Sequence, residues 1–280
     1  MTLALTYWDK RHKAEAEALL NESIYHSHKR VQKIYLDTAN YCIGQLETIY
    51  VKIQNANGTD NVTRQMIYQY QGYFDRLKAC MSKLDSLSKG LTNTLSKNLI
   101  DLYEDNARYI NKSTLKPLGI KIGFDNLDKR AETASQAIWA TDGKSWSNRV
   151  WGDTAKLKAT LQDIIPNAMA SGQGVMKMTA ELQKEFSVSF SKAKTLATTE
   201  LTHIYAVSAQ ETFKDAGFEE WEWSTSEDAG VCEECDRLNG TRYSINNTQA
   251  LPPAHPNCRC IAQPVIEINR LINLEYEPKF

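Results

Sequence analysis

From Tyr7 to Gln54 apolar residues recur at helical spacing. Leu20, Ile24, Val31, Ile34, Cys42, Leu46, Ile49 and Ile53 form one stripe, with no proline and a single glycine, Gly44. The pattern predicts a long amphipathic helix, about 70 Å if unbroken at 1.5 Å per residue, with Gly44 the place for a bend. Asn55-Ala56-Asn57-Gly58-Thr59-Asp60-Asn61 ends it, because Asn and Gly accept left-handed backbone and Asp or Asn caps the next helix. The return arm places Tyr73, Leu77, Cys80, Leu84, Leu87, Leu91 and Leu95 three or four residues apart, the seam of a coiled coil. The two arms make a helical hairpin over residues 1 to 120. Cys42 and Cys80 sit among its apolar positions as small buried hydrophobes, and Tyr25, Tyr35, Tyr50, Tyr68 and Tyr70 add aromatic area beyond a narrow seam.

Residues 121 to 217 read as a helical body. A helix is expected near Leu127 to Trp139, and another, capped by Ser145, from Trp146 through Ile165 to a stop at Pro166. Beyond Ser171-Gly172-Gln173-Gly174, short helices are expected across Met176 to Phe186 and Lys192 to Ala216, with Gly217 ending the last.

Past Gly217 the period changes to two. Phe218-Glu219-Glu220-Trp221-Glu222-Trp223 alternates aromatic and acidic residues, as a half-buried strand does. Leu238-Asn239-Gly240-Thr241-Arg242-Tyr243 carries an Asn-Gly turn between strand-like residues, a hairpin signal. Cys260 to Ile266 reads as a further strand, with Pro264 placing it at an edge. The expected architecture is mainly α with a small α+β C-terminal part: the hairpin, the helical body, and a small β-rich module over residues 218 to 280.

Composition changes this picture little. Residues 1 to 120 hold 16 Lys and Arg against 12 Asp and Glu, and the remainder 17 against 22, so neither part is a strong polyanion binder. Charged residues interrupt every hydrophobic run before the roughly 20 apolar residues of a membrane span. The opening MTLALTYWDKRHKAEAEALL has too short an apolar run for a signal peptide. Six cysteines in 280 residues then suit a reducing compartment and free or metal-bound thiols better than disulfides.

Chemistry concentrates at one place. Cys232-Glu233-Glu234-Cys235 and His255-Pro256-Asn257-Cys258-Arg259-Cys260 put five candidate metal ligands, Cys232, Cys235, His255, Cys258 and Cys260, into 29 residues. A C-x-x-C turn aims two sulfurs at one point, and a second pair from another turn completes a tetrahedral shell. Thiolate and imidazole donors suit Zn2+, and five candidates for four positions suit a closed, structural site. Spacing alone leaves open which four bind. The chain has no phosphate-cradling glycine loop, no His-Glu-x-x-His helix and no nucleophile elbow, so no catalytic residue is assigned. The competing reading, a zinc-dependent nuclease or transferase effector, would draw on Glu200, His203 or Asp228 near the metal.

Several of these elements, in this order, form a resemblance. Ala193-Lys194-Thr195-Leu196-Ala197-Thr198-Thr199-Glu200, the helix to Ala216-Gly217, Trp221-Glu222-Trp223, Cys232-x-x-Cys235, Leu238-x-Gly240 and Pro252-Pro253-x-His255-Pro256-Asn257-Cys258-Arg259-Cys260 resemble the phage Mu protein F-like minor head proteins, or head morphogenesis proteins of tailed phages, over about residues 145 to 265. Tyr7-Trp8-x-x-Arg11 ahead of a long helix is also similar to that family. Its members often read Ala-Arg-Thr-Glu where this chain has Ala197-Thr198-Thr199-Glu200, so the arginine is replaced and Glu200 is kept. The resemblance implies a minor capsid protein in the capsid interior or at the portal vertex, binding portal protein or major capsid protein during head assembly and acting on the fate of packaged DNA.

Overall fold

A computed structural model describes residues 2–57, 64–171, 173–226 and 230–266. Residues 58 to 61 of the expected break, Gly172 and Asp228 lie outside the described residues, as do the side chains of Tyr7, Trp8 and Arg11. The elements run α1 (Thr2–Asn57), α2 (Arg64–Gln69), α3 (Gln71–Ile110), α4 (Leu127–Gln136), α5 (Trp146–Ala170), α6 (Val175–Asp215), β1 (Glu220–Ser224), α7 (Glu233–Leu238), β2 (Arg242–Ser244) and β3 (Ile261–Pro264). A π-helical turn, Asn111–Leu115, extends α3, closed by the Lys116 N–H on the Asn111 carbonyl at 2.9 Å. The protein is mainly helical with one small antiparallel sheet, as expected. No helix among the described residues is long and apolar enough to cross a membrane.

Contacts divide the chain into two compact units. One comprises Met1–Ser27, Ser96–Ala137 and Thr195–Phe280, the other His28–Leu95 and Ile138–Lys194.

In the second unit α1 and α3 run antiparallel. Cys42 and Cys80 face each other, each thiol 3.9 Å from the other's carbonyl, and Arg76 donates to Gln45 at 2.7 Å. Tyr73, Cys80, Leu84, Leu87, Leu91 and Leu95 are buried from α3, with Leu77 partly covered, and Val31, Cys42, Leu46, Ile49 and Ile53 from α1. The three-or-four-residue spacing therefore marks a core stripe. Helix α1 passes through Gly44 without a break. Two of the tyrosines expected to widen the surface belong to the core instead: Tyr35 is buried and bonded to Ser189 at 3.0 Å, and Tyr50 is buried and donates to the Gln173 carbonyl. Tyr25 and Tyr68 are exposed.

Two helix boundaries differ from the sequence pattern. Helix α5 continues past Pro166 to Ala170, with Ala168 buried beyond the proline. Helix α6 is one 41-residue helix and not two, although Ser187-Val188-Ser189-Phe190-Ser191 is a weak helix former. Phe186 and Ser189 are buried there, so packing overrides propensity.

In the first unit, α3 and α6 are joined by Asn106 donating to the Tyr205 carbonyl at 3.0 Å and Ser208 donating to the Tyr103 carbonyl at 2.6 Å. Arg130 of α4 reaches Glu211 at 2.9 Å and Asp215 at 2.6 Å. The sheet has order β2-β1-β3, both pairs antiparallel, with Trp221 opposite Tyr243 and Trp223 opposite Ala262. β1 is central, and β3 lies at an edge as Pro264 requires. Trp221 and Trp223 point into a core with Ile110, Leu115, Ala206, Phe213, Phe218 and Cys235, Cys258 and Cys260.

The Asn239-Gly240 turn is not a strand-to-strand hairpin. Leu238 closes α7, so the turn joins a helix to β2, with Gly240 at φ 77°. The cause lies upstream. Cys232 caps α7 by accepting the Cys235 N–H, and Glu233, Glu234 and Asp236 complement the helix's positive end. The turn then latches to β1: Gly240 N–H donates to the Trp223 carbonyl at 2.8 Å, and the Asn239 side chain accepts the Thr225 N–H at 3.1 Å.

Candidate metal centre

Two short elements and one helix build the site. Cys232 and Cys235 open α7, and His255, Cys258 and Cys260 come from the loop that runs into β3. Helix α6 holds that loop through three threonines on one face, spaced four and three apart. The Thr195 hydroxyl accepts from the Asn257 amide side chain at 3.2 Å, Thr199 accepts the Asn257 N–H at 3.1 Å, and Thr202 donates to the Cys258 carbonyl at 2.7 Å. Asn257 adopts φ 63°, a left-handed conformation that Asn tolerates best after glycine, and so turns the chain between His255 and Cys258.

All five predicted ligands converge. The Nε2 atom of His255 lies 3.1 Å from the Cys232 sulfur and 3.2 Å from the Cys235 sulfur, and the Cys235 and Cys258 sulfurs are 3.7 Å apart. Cys232, Cys235 and His255 form one group whose donor atoms all lie within 4.8 Å, and Cys235, Cys258 and Cys260 form another, so Cys235 belongs to both. Cys235, Cys258 and Cys260 are buried, while Cys232 and His255 are half-buried. These residues can hold a metal ion. Two thiolates on one tetrahedral zinc, each about 2.3 Å from it, stand about 3.8 Å apart, close to the Cys235–Cys258 separation. The His255 Nδ1 atom lies 2.9 Å from the Pro256 carbonyl, which fixes the tautomer that leaves Nε2 as a lone pair facing the sulfurs.

The electrostatics divide the thiols. The Cys235 N–H on its sulfur lowers the pKa of Cys232, and a hydrogen bond from the Cys260 thiol, with backbone N–H groups, brings Cys258 down to about 5. Burial pushes Cys235 up to about 12, and Cys260 is raised because its thiol donates to the Cys258 sulfur. At His255 burial opposes the imidazolium, but the Pro256 carbonyl and the sulfurs of Cys258 and Cys232 prevail and raise its pKa.

Among the residues of the competing reading, Glu200 is buried on α6. The His203 pKa is lowered to about 4 by burial, against a hydrogen bond to the Pro252 backbone. Neither joins the two ligand groups. The threonine face of α6 was the part of the site that spacing of metal ligands did not reveal. Its signal was present as Thr195, Thr199 and Thr202, one helical face of hydroxyls on an otherwise core-facing helix.

Residues 159–263 match the family model described as phage Mu protein F like protein. The chain carries a Mu F-like segment. It takes in the C-terminal part of α5, all of α6, β1, α7, β2, most of β3 and all five candidate ligands, and lies within the block of about residues 145 to 265 that carries most of the motif resemblance. Searches of curated proteins and of solved structures give no match.

Proposed function

We propose that this protein is a minor capsid or head morphogenesis protein of a tailed phage, and that its C-terminal end is a rigid module stapled by a structural zinc ion. The observation that carries the reading is the Mu F-like match over residues 159–263, a block that contains every ligand. The role is docking to portal or major capsid protein during head assembly, in the virion interior or at the portal vertex, with an effect on packaged DNA or its ejection.

Three features favour docking over catalysis. The donor set outnumbers the four positions of a tetrahedral ion, which leaves no place for an activated water. His203, with a pKa near 4, is a weak general base at neutral pH. Tyr25, Tyr68 and Phe74 are exposed aromatic surface, and Tyr68 stacks on Phe74 with ring centroids 6.0 Å apart. Aromatic residues of this kind are enriched in protein interfaces. The competing enzyme reading needs an open metal position and a nearby base.

Co-expression with the portal and major capsid proteins of the same phage, followed by affinity purification, tests the docking role. Recovery of a defined complex with either supports it. A chain that elutes alone from both contradicts it.

A further inference from the structure

In the second unit, α5 and the start of α6 border an open cavity of about 660 Å3, within the size range of small-molecule sites. Thr160, Asp163, Ile164, Asn167, Ala168 and Ser171 line it from α5, three or four residues apart on one face that runs on through Pro166. Glu181 adds to the wall from α6, and Gln173 from the turn between the two helices. Two bonds to α1 fix that turn and the first part of α6: the Tyr50 hydroxyl donates to the Gln173 carbonyl, and Thr179 donates to Glu47 at 2.7 Å. The polar part of the wall is built of acceptors. Asp163 and Glu181 are carboxylates, acceptor-only when ionised, and neither is hydrogen-bonded or ion-paired among the described residues. Thr160 and Ser171 give their hydroxyl protons to the carbonyls of Lys156 and Asn167, at 3.0 Å and 2.7 Å, which leaves them lone pairs to offer. The Gln173 Oε1 atom is buried with no hydrogen-bond partner. A buried acceptor without a donor is costly until one reaches it. No Lys, Arg or His lines the cavity.

We infer that this cavity is a binding site for an organic cation of the alkylammonium or alkylguanidinium class. The charged nitrogen donates to Asp163, Glu181 and the orphaned Gln173 oxygen, charge-assisted hydrogen bonds that are stronger than neutral ones. The carbon stem lies on the apolar wall of Ala159, Ile164 and Ala168, as the stems of Lys and Arg lie on apolar surface while their heads meet polar groups. An anion would meet two carboxylates and no cation. A single metal ion would leave most of the space empty, and Asp163 and Glu181 belong to neither group of residues that could hold one. The same chemistry is carried by a free amine or guanidine and by a Lys or Arg side chain of a partner protein.

Methyl NMR of the full chain, with its Ile and Ala methyl groups isotope-labelled, tests the site. Added n-butylguanidinium or n-butylammonium should shift the Ile164, Ala159 and Ala168 signals and saturate below about 10 mM, the affinity expected of so small a ligand. The neutral n-butylurea has nearly the same shape and should bind at least about tenfold more weakly, because it lacks the charge that strengthens each hydrogen bond. Asp163→Asn combined with Glu181→Gln keeps the shape of the wall and should weaken n-butylguanidinium by at least about tenfold. Gln173→Met should weaken it as well. A capped tripeptide with a central arginine separates the two sources: its displacing n-butylguanidinium marks a site that a partner's side chain enters, and its failure to do so marks a site for a free cation. Both results sustain the cation site. Equal binding of n-butylurea and n-butylguanidinium by the wild-type chain would overturn it, and that comparison needs no variant to fold. Methyl signals unmoved by either cation, or full affinity in the double variant, would overturn it too.

Discussion

Thr202 of α6 donates its hydroxyl to the carbonyl of Cys258 at 2.7 Å, both residues buried. Through this bond α6 sets the height of the ligand loop. Thr202→Val keeps the shape and leaves that carbonyl without its donor, so it should cost about 1–3 kcal/mol of local stability. Hydrogen exchange near residues 255 to 260 reads the change. Thr202→Ser should restore protection, and equal protection in Thr202→Val and wild type would show that the loop is held by the metal turns alone.

Cys235 belongs to both ligand groups, so Cys235→Ser should release the metal and loosen the stretch from about Trp221 to Pro264. Structural zinc sites supply on the order of 10 kcal/mol of local folding free energy. Protection within the paired stretches of α1 and α3 in the second unit should stay at its wild-type level. Uniform loss there after chelation would contradict a locally acting metal.

Acid should destabilise the first unit through His203. Its imidazole is held neutral with a pKa near 4, against about 6.5 in an unfolded chain. A depressed pKa contributes stability that is fully present above the unfolded value and is lost as pH falls through the folded one, here between about pH 6.5 and 4. Below about pH 4 the accumulated loss is about 3 kcal/mol relative to neutral pH, the cost of charging the buried imidazole. His203→Gln should flatten the pH dependence of unfolding in that window, and an unchanged slope would exclude this histidine as its source.

Arg130 links α4 to α6 with 2.9 Å and 2.6 Å contacts to Glu211 and Asp215. The groups are partly exposed, so the pair contributes modestly. Arg130→Lys cannot reproduce the forked geometry and should cost about 1 kcal/mol, read as earlier exchange in residues 127 to 136. A neutral effect would mean that Leu127 and Ala131, both buried, hold α4 unaided.

The sequence made the strongly periodic parts legible. The seam from Tyr73 to Leu95 and the alternation at Trp221 and Trp223 each recur at one period, and burial follows that period. The cluster of Cys232, Cys235, His255, Cys258 and Cys260 was legible too, in that the residues picked out by type and spacing come together in two groups that could hold a metal ion. What escaped depends on contacts between distant residues. Asn239-Gly240 has hairpin chemistry, but the Cys232 cap makes Leu238 helical first. Pro166 marks a stop, yet α5 runs on through it to Ala170. Tyr35 and Tyr50 look like surface aromatics until Ser189 and Gln173 reach them. A pattern read along the chain also yields contiguous segments, with divisions at 120 and 217, whereas each unit of the structure gathers stretches far apart in sequence.

The central claim is that this chain is a minor structural component of a phage head. Quantitative mass spectrometry of purified particles from the phage that encodes it tests that claim most directly. The expected result is the full chain in every preparation, at a small fraction of the copy number of the major capsid protein. Particles that yield portal and capsid proteins in full but none of this chain would contradict it.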